Sequence, residues 1–264
     1  MNIQKVYGVY FSPTGTTKSV TKYMLREFDI PKEEIDLTSY ENRNNSYSFN
    51  EDELVIIGIP VYGGRVPITA KNRIKLLKGD NTPIVLVATY GAIHYSDVLH
   101  ELQEIVKTNG FITIAAAAVV VEHNIINLCA NVKIASGRPD TQELSTISNF
   151  TNQVYAKALE SDSFENMVIK GKIPDSPRNK ILIYFALPYG DKKCNKCNVC
   201  VKLCPVHAID NPRKKAEQGC IRCLRCIKYC PQNARTFSKL MKIGVGLLLS
   251  IASQGKEKQS EFFL

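Results

Sequence analysis

Tryptophan is missing from this chain of 264 residues. Any aromatic wall at a ligand site must therefore come from its 12 tyrosines or 10 phenylalanines. A run of about 20 apolar residues is missing too, which excludes a membrane-spanning helix. Met1 to Tyr10 alternate like a strand and have no signal-peptide layout, so cytoplasm is the expected compartment. Two nucleotide fingerprints are absent. Without G-x-x-x-x-G-K-[ST] there is no Walker loop, and without G-x-G-x-x-G there is no support for a nicotinamide site. Acidic residues are sparse in one region. Residues 191–264 hold 5 Asp+Glu against 15 Lys+Arg, whereas residues 1–190 hold 20 and 19.

Cysteine, by contrast, is plentiful and ordered. Eight of nine cysteines fall into two copies of C-x2-C-x2-C-x3-C-P. The first is Cys194, Cys197, Cys200 and Cys204-Pro205. The second, 26 residues on, is Cys220, Cys223, Cys226 and Cys230-Pro231. Three thiolates at i, i+3 and i+6 can curl round one face of an iron–sulfur cube. Structural zinc prefers two separated pairs, and a disulfide framework suits small secreted domains. The runs resemble those of bacterial two-cluster ferredoxins. That resemblance implies two 4Fe–4S clusters with crossed ligands: Cys194, Cys197, Cys200 and Cys230 for one, Cys220, Cys223, Cys226 and Cys204 for the other. Where ferredoxins often carry Gly after the second cysteine, this chain has Asn198 and Leu224. Each oxidised cluster carries roughly −2, which offsets part of the basic excess. The remainder suits an acidic redox partner better than nucleic acid.

The first part of the chain has a different pattern. Ile3 to Phe11 is apolar and β-rich, then comes Ser12-Pro13-Thr14-Gly15-Thr16-Thr17, then a helical stretch with Val20, Tyr23, Met24 and Phe28 on one face. A hydroxyl- and Gly-bearing loop between strand and helix is the layout of a phosphate site, with Lys18 adding charge nearby. Further strands are read at Glu34–Ser39, Leu54–Ile59, Pro83–Ala88 and Phe111–Val121. Helices are read at Val66–Leu77, Tyr95–Thr108 and Asp140–Leu159. Alternation of this kind predicts a doubly wound parallel five-stranded sheet, order 2-1-3-4-5, with its ligand at the carboxyl ends of the strands.

The phosphate loop, with Pro60-Val61-Tyr62-Gly63-Gly64 and Thr89-Tyr90-Gly91 at the next strand ends, is similar to the FMN site of flavodoxins. The resemblance implies FMN held by Ser12, Thr14, Gly15, Thr16 and Thr17 at its phosphate. Pro60 to Gly64, Thr89 to Gly91 and Tyr95 would border its ring, with Tyr62 and Tyr90 as stacking candidates. The whole chain then resembles a flavodoxin–ferredoxin fusion. The expected segments are a flavodoxin-like domain at 1–160, a linker and docking segment at 161–190, a small α+β ferredoxin domain at 191–237 and an amphipathic tail at 238–264.

Remaining residues are weighed individually. His94 is a proton-donor candidate beside the ring, against the plainer reading of an exposed loop residue. His123 and Asn124 follow the fifth strand. Cys129 reads as a buried thiol, His207 as surface filler, Asp97 as a helix cap, and Arg213-Lys214-Lys215 as a solvated loop. Ile181 to Leu187 reads as the segment that docks the two domains. Leu240, Ile243, Leu247, Leu248 and Ile251 share a helix face, read as packed on the body, with peripheral membrane or partner contact as the alternative. The expected function is electron transfer among FMN, clusters and a redox partner. The alternatives are a flavin-dependent reductase of a small molecule and a non-redox protein with structural clusters. A homo-oligomer is compatible with either redox reading.

Overall fold

β-branched and aliphatic runs form the long central strands of the sheet, and 3.6-periodic stretches form the helices between them. The computed structural model describes residues 3–124, 134–161, 163–173, 187–253 and 258–264. Cys129 and most of the predicted docking segment 181–187 lie outside these. The elements are β1 (Lys5–Tyr10), α1 (Thr16–Leu25), β2 (Lys32–Asp36), β3 (Tyr47–Phe49), β4 (Glu53–Pro60), α2 (Ile68–Ile74), β5 (Leu77–Gly79), β6 (Thr82–Tyr90), α3 (Val98–Lys107), β7 (Phe111–Val120) and α4 (Thr141–Glu160). β2-β1-β4-β6-β7 are all parallel, which is the expected 2-1-3-4-5 arrangement. β3 and β5 pair separately in a short parallel ribbon.

β6 is buried along its whole length, as a strand covered on both faces must be. One face packs Val9, Ile57 and Leu86 against Ile74 of α2 and Leu102 of α3. The other packs Val85 and Val87 against Met24 of α1 and Phe150 and Val154 of α4. α4 starts at a capping box, with Asp140 accepting from the Glu143 amide and Glu143 accepting from the Asp140 amide. Asp97 stands at the start of α3 but its side chain makes no capping bond, which corrects the reading of it as a cap.

The cluster-type region is small. It holds β8 (Tyr189–Gly190), α5 (Val199–Lys202), α6 (Arg225–Lys228) and β9 (Arg235–Thr236), with β8 and β9 antiparallel. The tail forms α7 (Lys239–Ala252) and β10 (Glu261–Phe263). Two expectations change here. First, the sheet has six strands, because β10 pairs antiparallel with the outer edge of β7 at Ala116–Ala118. The small side chains of β7 leave room for Phe262, whose ring lies 5.0 Å from that of Phe150, and pairing covers an open sheet edge. Second, the apolar face of α7 is not packed on the body. Leu240 is 82% and Ile243 69% exposed. The helix is held through Met241 and Leu249 instead. Among the described residues no helix is long and apolar enough to cross a membrane.

β10 therefore contributes to stability. Phe262→Ala should cost about 2 kcal/mol and lower the urea midpoint without changing the far-UV circular dichroism of the native protein. An unchanged midpoint would show that β10 does not brace the sheet.

Candidate metal and cofactor centres

The loop after β1 is shaped by its own hydroxyls. The Ser12 amide donates to Thr38 Oγ1 at 2.7 Å, and Ser12 Oγ accepts from the Lys18 amide at 2.9 Å. Ser12, Thr14 and Thr17 are buried. Gly15 takes φ 88°, open to glycine at no steric cost, and leads into α1. The first-turn amides of Thr16 and Thr17 have no helical partner, so the loop presents donors to an anion. Lys18 turns away: its Nζ lies 3.9 Å from Glu34 and 5.2 Å from the centre of the Tyr10 ring.

The loops after β4 and β6 stand beside it. Thr17 Oγ1 and Thr89 Oγ1 are 2.7 Å apart, and the Val61 amide donates to the Thr89 carbonyl at 2.9 Å. Past Pro60, at the end of β4, Tyr62 and Arg65 exchange backbone hydrogen bonds around Gly63 and Gly64, both with positive φ. This is a tight hairpin turn that demands left-handed residues. Arg65 grips Glu101 of α3 with two bonds, Nε to Oε2 at 2.8 Å and Nη2 to Oε1 at 2.9 Å. The Val66 amide also donates to Glu101 at 3.1 Å. Burial pushes the Glu101 carboxyl up, but these bonds and the charges of Arg65 and Lys71 outweigh it and hold it below 4.5. The turn is thus clamped to α3 by a buried ion pair.

The side chains of Tyr90 and Tyr95 are both engaged by the tail. Tyr90 is 4% exposed, and its hydroxyl donates to the Gln259 carbonyl at 3.0 Å. Tyr95 donates to Glu261 at 2.8 Å, and the two rings pack at 5.3 Å. Strand alternation turns Tyr90 into the core, where the tail takes both hydroxyls. The backbone of Thr89 to Gly91 edges the loop beside Val61. Tyr62 remains as the aromatic at the strand ends. His94 is exposed, with Nδ1 2.9 Å from Ser96 Oγ. Its Cε1 would stand 3.2 Å from a Cβ at Gly64. His123 packs against Gly91, and burial lowers its pKa.

The cysteine runs repeat in backbone as well as in sequence. Lys196 and Arg222, Asn198 and Leu224, and His207 and Asn233 all have positive φ, and the members of each pair stand 26 residues apart. Cys204 Sγ accepts from the Ala208 amide at 3.3 Å, and Cys230 Sγ from the Ala234 amide at 3.2 Å. Leu224 thus adopts the conformation for which glycine is the usual residue, at a cost of roughly 1–2 kcal/mol.

Cys194, Cys197, Cys200 and Cys230 line one cavity. In the other group, Cys223 feels the charges of Cys226, Cys220 and Cys204. Cys230 of the second run thus joins three thiols of the first around one space. The thiols ring a space instead of converging on a point. Among the described residues no three His, Cys, Asp or Glu side chains stand close enough to hold a single ion. Burial pushes Cys223 and Cys226 up to about 12, so metal loading must release protons.

Arg235, 2% exposed, lies between the groups. It donates to the carbonyls of Pro188, Pro212 and Lys214 at 2.8–2.9 Å, while its Nε has no partner among the described residues. Burial raises the pKa values of Cys200, Cys220 and Cys226, and the charge of Arg235 offsets part of the rise in each. A buried cation with a spare donor fits a site that carries negative charge when filled.

The two regions meet at the carboxyl end of the sheet. Arg73, 4% exposed, donates to the Pro205 carbonyl at 2.6 Å. His207, read as surface filler, stacks on Tyr40 at 3.4 Å. Ile221 packs on the main core. Arg225 Nη1 donates to the carbonyl of Pro13 at 2.7 Å and lies 3.4 Å from that of Ser12. Burial, with the Cys223 thiol in electrostatic reach, pushes Tyr62 far above the ordinary phenol value. Sequence reasoning missed these contacts; a Tyr or Arg inside the second cysteine run was the only available signal.

Residues 189–210 match the 4Fe-4S binding domain family. The chain joins a flavodoxin-like α/β domain to a 4Fe–4S ferredoxin-like region. The match takes in the first cysteine run and ends before the second. No curated protein matches the chain. Among solved structures, the Streptococcus pneumonia TIGR4 flavodoxin is 13% identical with a TM-score of 0.39, covering 58% of this chain and 99% of its own. An azoreductase from Bacillus anthracis str. Sterne is 12% identical with a TM-score of 0.39, covering 60% and 100%. An NADH:FMN oxidoreductase in its apo form is 12% identical with a TM-score of 0.41, covering 62% and 95%. Strand order, not these likenesses, carries the fold assignment.

Glu101→Gln should cost about 3 kcal/mol by removing the charge that faces Arg65 in this pair. Because folding lowers the Glu101 pKa, the stability it adds is present above pH 4.5 and is lost as pH falls through the folded value. Denaturation midpoints measured from pH 7 to pH 3 should therefore converge for the two proteins at the acid end. Parallel curves would contradict the ion-pair account.

Proposed function

We propose that this chain is an iron–sulfur flavoprotein that moves electrons among FMN, two 4Fe–4S clusters and an external redox partner. The observation that carries the reading is the docking: the second cysteine run sits on the loops after β1 and β4, with Arg225 on Ser12 and Pro13 and Tyr62 in reach of Cys223. When bound, FMN takes one or two electrons and each cluster one.

The chain's own residues supply the rest. The loop Ser12, Thr14, Gly15, Thr16 and Thr17 holds the phosphate, through its hydroxyls and the first-turn amides of Thr16 and Thr17. Pro60 to Gly64, clamped through Arg65 and Glu101, and the backbone of Thr89 to Gly91 border the ring, with Tyr62 as its aromatic neighbour. Cys194, Cys197, Cys200 and Cys230 form one cage, and Cys220, Cys223, Cys226 and Cys204 the other. Residues 1–160 form the flavin domain, 161–190 the link, 191–237 the cluster domain and 238–264 the tail, whose β10 belongs to the first sheet. The basic excess of residues 191–264 steers an acidic partner. A second reading, reduction of a small molecule over the flavin, rests on His94, exposed beside Gly64.

Anaerobic reconstitution with iron, sulfide and FMN tests the reading. About eight irons and one flavin per chain are expected, with reversible bleaching in a redox titration and no steady turnover of small acceptors. Cys204→Ser and Cys230→Ser should each lower the iron to about four. Iron near four in the unaltered protein, or no retained FMN, would overturn it. Turnover that falls in His94→Ala would favour the reductase.

A further inference from the structure

The phosphate loop contains no formal cation aimed at its own anion. Lys18 is drawn to Glu34 and the Tyr10 ring. The cation that does reach the loop comes from the other domain. Arg225 Nη1 donates to the Pro13 carbonyl at 2.7 Å and lies 3.4 Å from the Ser12 carbonyl. Its Nε and Nη2 donate to nothing among the described residues. Tyr229, one turn on, brings its hydroxyl to 2.9 Å from where a Cβ at Gly15 would stand. The Arg225 guanidinium lies 5.3 Å from the Tyr229 ring centre, so the two side chains form one unit over the loop.

The geometry points to Arg225 and Tyr229 as phosphate-binding residues supplied by the cluster domain, so that flavin binding depends on the second-run cluster. This rests on the FMN reading above. Both loop contacts of Arg225 use Nη1, so the guanidinium stands at a loop whose amides already favour a dianion, and a charged hydrogen bond there is among the strong ones. The dependence on the cluster follows from where Arg225 stands. It begins a four-residue helix between Cys223 and Cys230, directly after Leu224 in its left-handed conformation. A leucine stays in that conformation only while its surroundings hold it. Cysteine ligation on both sides is the constraint, so an empty cage frees Arg225 to leave the loop. By linkage, bound flavin must in turn stabilise the second-run cluster.

The test compares FMN with riboflavin, which lacks the phosphate, binding to the cluster-loaded full chain by anaerobic fluorescence titration. The unaltered protein should prefer FMN. Arg225→Ala should weaken FMN about 10- to 100-fold and leave riboflavin unchanged, with iron content retained. Tyr229→Phe should weaken FMN by a smaller factor. Cys204→Ser, which empties the second cage without touching α6, should weaken FMN in the same sense as Arg225→Ala. If the unaltered chain binds neither flavin, the FMN reading itself fails. If it prefers FMN and Arg225→Ala keeps that preference, the assignment of Arg225 is wrong. Should Arg225→Ala lose iron, Arg225→Lys with full iron decides: unreduced preference for FMN combined with unreduced FMN affinity in Cys204→Ser would overturn the inference.

Discussion

A parallel sheet covered by helices on both faces has only its strand ends free. In this chain the covering is complete, with β4 and β6 buried almost throughout. Any ligand that needs backbone donors must therefore sit at the carboxyl end, among the loops after β1, β4 and β6. That constraint also decides where a second domain can communicate with the first. The cluster region docks at this end, through His207, Ile221 and Arg225, with Arg73 reaching it from α2. The opposite edge of the sheet is closed by the tail strand, which ties Tyr90 and Tyr95 into the core.

The cluster region obeys a different constraint. Its core is small, and its residues are turned by ligand geometry more than by packing. Six non-glycine residues accept a left-handed backbone at matched places in the two runs. Such a concentration of unfavourable conformations is sustained where something outside the chain's own contacts holds it. The buried thiols and the buried guanidinium of Arg235 point the same way, since each is poorly placed in a metal-free interior and well placed beside a charged inorganic core.

Local pattern made much of this legible in advance. The cysteine runs declare themselves by spacing, and the three loops follow strands whose apolar runs are unmistakable. Strand order followed from the βαβ alternation and the handedness it enforces. Long-range choices were not legible. The bond from Arg225 to Pro13 joins residues 212 apart, and nothing near either residue announces it. β10 is three residues long, too short to show alternation. A T-Y-G ending says nothing of which face the tyrosine takes; the parity of β6 turns Tyr90 inward. The face of α7 looked like a packing face because periodicity reports amphipathicity, not what covers it.

The proposal at the centre of this account is that two clusters lie side by side at the flavin end of one sheet. Electron paramagnetic resonance of the fully reduced, flavin-loaded protein tests it most directly. Two reduced cubes held by crossed cysteines of adjacent runs should give a broadened spectrum from magnetic interaction between them, resolving to a single sharp signal in a protein with one cage removed. A sharp, non-interacting signal from the intact chain would contradict the account.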